Sequence, residues 1–146
     1  MPKLIYFPVQ GRAQMIRFLL DAKGIQFEDQ HVTGPQWQEI KAAGTYGNCQ
    51  TPIYVRDDGT FMTQSNAIMK SLAMEHGYAP QNPQVMYEAE WFHGMIVDVI
   101  EKPARMAILR DEPTQEEIDG CVALFTDFLE RVEGRLADGR AHAAGD

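Results

Sequence analysis

Apolar residues open the chain as one short run, Leu4-Ile5-Tyr6-Phe7, held between Lys3 and Pro8, so residues 3–8 read as a strand. The spacing then changes. Ala13, Ile16, Leu19 and Leu20 fall on one helical face, which predicts a helix over 12–23 with Gly24 as its stop. Residues 26–32 form a weaker strand pattern. Residues 35–43 carry proline at a helix start, with Trp37 and Ile40 as apolar positions. The glycine- and asparagine-rich stretch 43–50 predicts a loop. Two short apolar runs, 52–56 and 60–63, flank Asp57-Asp58-Gly59 and predict an antiparallel hairpin. Ser65 is then expected to cap a helix that runs to His76 and ends at Gly77. The order strand-helix-strand-helix-strand-strand-helix predicts a right-handed crossover followed by a hairpin in one sheet.

Beyond this point the pattern is wholly helical. Ala79-Pro80-Gln81-Asn82-Pro83 reads as a linker, and two long helices follow over 84–109 and 114–136. In the second, Ile118, Val122, Phe125, Leu129, Val132 and Leu136 keep one apolar stripe, and Thr114 with Glu117 forms a capping box. Pro103 should kink or break the first. The small, polar tail 137–146 is expected to fray. The expected architecture is an α/β N-terminal domain over 1–77, a linker over 78–83 and an all-α domain over 84–146.

Charge reinforces the division. Residues 1–76 hold 7 basic and 7 acidic side chains, whereas 77–146 hold 6 and 14, which accounts for the net charge of −8. No basic face is available for nucleic acid. Cys49 and Cys121 form no C-x-x-C or zinc pattern, and His31, His76, His93 and His142 show no metal spacing, so no metal site is expected. No signal peptide or run of membrane length is present, so a soluble cytoplasmic protein is expected, with no membrane partner.

The candidate chemistry lies in three places. Tyr6 puts a phenol at a strand end, immediately before the Gly11-Arg12 turn that opens a helix. Thr51-Pro52 opens the hairpin, and Gln64-Ser65-Asn66 begins a helix whose free N–H groups suit an anion. Taken singly, each has a plainer reading. Tyr6 and Trp37 are ordinary core residues, Pro52 an ordinary trans proline on an edge strand, and Ser65 a simple cap.

Taken together, Tyr6-Phe7-Pro8-Val9-x-Gly11-Arg12, Val32-Thr33 with Trp37-Gln38-Glu39, Gln50-Thr51-Pro52, and Gln64-Ser65-Asn66-Ala67-Ile68 resemble the cytosolic glutathione transferases, most closely the pi and sigma classes. The resemblance implies a thioredoxin-like first domain and a helical second one. It implies Tyr6 as the catalytic residue that hydrogen-bonds the glutathione sulfur. Glutathione contacts are implied at Phe7, Arg12, Trp37, Lys41, Gln50, Thr51, Pro52, Gln64 and Ser65, with Thr51-Pro52 in the cis form. Asp98 is implied to reach the glutathione of a neighbouring subunit, and Tyr46 to act as an aromatic key in a homodimer. Solvated or self-covering roles stay open for both. Gln10 departs from the arginine usual in pi-class members. By the same resemblance, Gly145-Asp146 falls just before a buried helix of the second domain, so the helical domain is expected to be partial.

The implied activity is conjugation of reduced glutathione, as co-substrate and with no other cofactor, to a small electrophile. The resemblance also implies that Phe7 and Val9 belong to the second-substrate side. Two alternatives stand beside it: a glutathione-binding or structural relative without useful catalysis, and a glutathione-dependent isomerase of the prostaglandin-endoperoxide type.

Overall fold

The structure is a computed structural model that describes residues 1–109, 112–142 and 144, with no side chains described for 102–109. The chain forms two compact units, Met1–Ala79 and Pro80–Asp146.

The first unit is built on a four-stranded mixed sheet. Strands β1 (Lys3–Tyr6), β2 (Glu28–His31), β3 (Ile53–Val55) and β4 (Phe61–Thr63) lie in the order β2-β1-β3-β4. β1 and β2 run parallel, with Leu4 opposite Asp29, while β1–β3 and β3–β4 are antiparallel. Side chains alternate across a sheet, so β1 can feed two cores. Leu4, Tyr6 and Tyr54 pack with Ile16, Leu19 and Leu20 of α1 (Gln14–Ala22) and with Ile68 and Leu72 of α3 (Ser65–Glu75). Ile5 and Ile53 pack on the opposite side with Val32, which follows β2, and with Trp37 of α2 (Gly34–Ala43). Leu4, Ile5, Ile16, Leu20, Ile53, Ile68 and Leu72 are at most 1% exposed. Burying each such side chain contributes about 1.5–3 kcal/mol, which makes this two-sided core the main support of the unit. The outer strand β2, Glu-Asp-Gln-His, is polar and largely exposed, as suits a sheet edge.

Several local expectations shift. The helix expected over 12–23 divides into a 3₁₀ turn, Gly11–Ala13, and α1. Gly24 follows at φ +66°, the left-handed geometry of a helix stop. α2 starts from a capping box in which Thr33 Oγ1 accepts from the Gln36 N–H at 3.4 Å and Gln36 Oε1 accepts from the Thr33 N–H at 2.8 Å. Ser65 is not the cap of α3. Gln64 holds that position at φ +69°, without a side-chain capping bond, and Ser65 is already helical. The turn there is made by backbone geometry rather than by a side-chain oxygen. The β3–β4 hairpin is tied to α3 by Arg56, whose Nη1 donates to Glu75 Oε2 at 3.0 Å and whose Nη2 bonds Oε1.

The second unit contains α4 (Pro83–Leu109) and α5 (Gln115–Leu136), which pack on each other. α4 passes position 103 without interruption, so the proline does not break it. Arg135 Nη2 bridges the helices to Glu88 Oε2 at 2.6 Å. Thr114 caps α5 in the expected box with Glu117. Among the described residues of this unit, Phe92 and Val99 are the buried apolar side chains, and α5 has none. The expected fraying of 137–146 falls partly, and the Gly145-Asp146 pair wholly, outside the described residues.

Candidate active site

Tyr6 ends β1, and the chain then turns sharply through Val9 and Gln10 into Gly11 and Arg12. This return brings the Arg12 N–H back onto the phenol, where it donates to Tyr6 Oη at 3.1 Å. Gly11 makes the approach possible. It sits at φ +38°, and a Cβ placed there would stand 2.7 Å from the Tyr6 oxygen, closer than such contacts occur. The Tyr6 ring meets Phe7 edge-on at 5.9 Å between centroids. Its oxygen therefore accepts one bond from the backbone and keeps its own proton for another acceptor.

That proton's surroundings form a cavity of about 260 Å³ lined by Tyr6, Arg12, Gln50, Thr51, Gln64 and Ser65. Residues far apart in the chain thus converge from three elements: the β1 turn, the loop entering β3, and the start of α3. The Thr51-Pro52 peptide is cis, and Pro52 is fully buried. Gln64 holds a positive φ that side-chain-bearing residues seldom adopt. It leads directly into α3, whose first N–H groups have no intrahelical acceptor; Ile68 N–H is the one that bonds back to the Gln64 carbonyl, at 2.9 Å. A phenol donor, a helix start and an arginine around one polar cavity suit an anionic ligand carrying a weakly acidic group.

The other expected site residues lie elsewhere. Trp37 is 9% exposed and sits in the core on the α2 side of the sheet, while Lys41 is exposed on α2 with Nζ 5.9 Å from the Trp37 ring. Neither lines the cavity. Phe7 is half-buried against both cores. Tyr46 is half-buried and packs edge-on to Phe61 at 5.2 Å, over the core of its own unit. Asp98 is exposed on α4, in the second unit.

Three features escaped the reading of the sequence. The tight Gly11–Tyr6 approach and the Gln64 backbone are conformational: a glycine marks a turn at the first without announcing the close contact, and glutamine gives no sign of the second. Arg17 joins α1 to Asp29 on β2 through two bonds, Nε at 2.8 Å and Nη2 at 3.2 Å, and its partner is twelve residues away. Nothing in the pattern pairs them.

No family model matches the chain. Among curated proteins it is 29% identical over 146 residues to glutathione S-transferase P 1 of Xenopus laevis, covering 97% of this chain and 68% of that one. It is 36% identical over 118 residues to glutathione S-transferase P 10 of Caenorhabditis elegans, covering 80% and 54%. An 81-residue stretch is 41% identical to hematopoietic prostaglandin D synthase of Gallus gallus, covering 56% of this chain and 39% of that protein. Among solved structures, a C. elegans glutathione transferase superposes with a TM-score of 0.82 at 25% identity, covering 99% of this chain and 72% of that one. The glutathione S-transferase of Ascaris lumbricoides gives 0.81 at 24% identity over the same shares. The fold is therefore a thioredoxin-like domain followed by a helical domain. The chain is thus similar to glutathione S-transferases over most of its own length. The matches do not single out a pi- or sigma-like class, because a class-mu isozyme of Schistosoma bovis also matches, at 28% identity.

Proposed function

We propose that the chain binds reduced glutathione in the Tyr6 cavity, holds it as thiolate, and transfers the sulfur to an electrophilic carbon. The observation that carries this reading is the convergence of Tyr6, Thr51, Gln64 and Ser65 on one cavity. A free thiol has a pKa of about 8.5, so only a few per cent is ionised at neutral pH. A hydrogen bond to a charged acceptor contributes about 1.5–3 kcal/mol, equivalent to roughly one to two pKa units. One donated bond from Tyr6 is thus enough to make thiolate a major species. The thiolate lone pair then forms the carbon–sulfur bond, and the leaving group departs with its electron pair.

In this reading Gln64, Ser65 and Arg12 receive the γ-glutamyl end, and Thr51 pairs with the cysteinyl main chain. Gln50, Trp37 and Lys41 serve the glycine end, while Phe7 and Pro52 shape the wall. Asp98 and Tyr46 act across a homodimer of cytoplasmic location. Domain bounds of 1–77 and 84–146 belong to the same proposal. Titration calorimetry with reduced glutathione, beside turnover of an activated chloroarene, tests it. Saturable binding with conjugation is expected. Binding without conjugation favours the non-catalytic relative, and absence of binding refutes the site.

The 81-residue likeness to a prostaglandin D synthase supports a second use of the same thiolate, isomerisation of an endoperoxide. Turnover of an endoperoxide that requires glutathione without consuming it distinguishes this from conjugation.

A further inference from the structure

Arg17 reaches further than a surface ion pair does. Its side chain is only 11% exposed. Nε and Nη2 grip both oxygens of Asp29, at 2.8 and 3.2 Å. Nη1 donates to the Val9 carbonyl at 3.1 Å, and lies 3.4 Å from both the Gln10 carbonyl and Gln14 Oε1. One guanidinium therefore joins α1, the β2 edge and the turn that follows β1. It also lies 6.0 Å from the centre of the Tyr6 ring. His31 Nε2, at 3.2 Å from Asp29 Oδ2, steadies the same carboxylate.

The two carbonyls it holds belong to the residues just before Gly11 and Arg12. Those residues deliver the N–H that contacts Tyr6 Oη. The 3₁₀ turn has no side-chain cap, and its own ties are backbone bonds, chiefly from the Gln14 N–H to the Gln10 carbonyl at 3.0 Å, so the guanidinium is the side chain that anchors it from outside. A planar fork with five donors can hold a carboxylate and two carbonyls at once, whereas an ammonium is a point charge on a flexible stem.

From this we infer that Arg17 is a positioning residue for Tyr6. With Asp29 it clamps the 9–12 turn so that the Arg12 N–H stays on the phenol oxygen and the hydroxyl proton stays aimed at the sulfur. The chemical half of this inference rests on the glutathione reading above. The geometric half does not.

The experiment compares the full chain with Arg17→Lys and, as the milder change, Asp29→Asn. Hydrogen exchange at the Arg12 amide is followed beside that of Ile5 in β1. Ionisation of bound glutathione is followed by thiolate absorbance, and kcat/KM is measured with an activated chloroarene. Exchange at Arg12 is expected to quicken about tenfold while Ile5 is unchanged, because a local opening is released rather than the core. The kcat/KM is expected to fall about tenfold, with the KM for glutathione within about threefold, because misaligned groups lose rate before binding. The pH at which the bound thiol ionises should rise. Parental exchange at Arg12 in both variants overturns the inference, whether or not the chain binds glutathione. Faster exchange with parental thiol ionisation and parental kcat/KM also overturns it, leaving Arg17 a structural staple. If the parent itself fails to bind glutathione, the functional reading falls, and the exchange data still decide the clamp.

Discussion

Two helices of this chain carry phased apolar stripes and meet different fates. In α1, Ile16 and Leu20 are fully buried and Leu19 is 7% exposed. In α5, Ile118, Val122, Phe125 and Leu129 remain 39–59% exposed. The first lies on a sheet that presents Leu4, Tyr6 and Tyr54 to it, with α3 alongside. The second packs on α4 within a unit that buries only Phe92 and Val99 among its described residues. Periodicity thus identifies which side of a helix seeks cover. A second layer of the right shape decides whether it is covered, and that layer comes from elsewhere in the chain.

The contrast can be tested by truncation. Leu20→Ala should cost about 2–5 kcal/mol in urea unfolding, the usual loss for a filled core site, while Leu129→Ala should cost less than about 1 kcal/mol. Equal losses would erase the distinction between the two units. Local devices, by contrast, should be worth the same in both. Thr33 and Thr114 each begin a capping box, so Thr33→Ala and Thr114→Ala should each cost about 1 kcal/mol. Helix-resolved hydrogen exchange would reveal any inequality.

The smallest expected effect concerns Glu75. Its bond to Arg56 holds its carboxyl below the ordinary carboxylate range, with a further contribution from Ser71. The side chain is 37% exposed, so solvent screens the pair and limits its worth to below about 1 kcal/mol. A carboxyl with a lowered folded-state pKa stabilises above its unfolded value, and that stability is lost as pH falls through the folded value. Glu75→Gln should therefore be the less stable chain near neutrality, and the gap should close on acidification. A gap that widens in acid would give the opposite sign.

Much of the first unit was legible because each element had its own punctuation. Gly24 and Gly59 stand at positive φ where turns were expected, and the alternation of Leu4, Ile5 and Tyr6 fits a strand covered on both sides. The site was legible in part. Tyr6, Arg12, Gln50, Thr51, Gln64 and Ser65 stand in short motifs, and the fold brings all six to one cavity. Trp37 is less legible. A tryptophan on an amphipathic helix carries no mark of which edge it exposes; here the ring packs in the core with 9% exposed, and its glycine-end role belongs to the proposal. The role of Gln64 as the turn before α3 was equally hidden, since glutamine has no preference for positive φ and Ser65 offers the more familiar cap. The parallel β1–β2 crossover was expected, but the pairing of Arg17 with Asp29 across it is a tertiary fact with no local trace.

The central claim is that the Tyr6 hydroxyl stabilises the bound thiolate. Its most direct test is the ultraviolet titration of glutathione bound to the parent chain and to Tyr6→Phe. The parent should show the bound thiol half-ionised roughly one to two pH units below the free value of about 8.5, and Tyr6→Phe should bind glutathione yet return the midpoint close to that value. A variant that binds glutathione and ionises it at the parental pH would contradict the account.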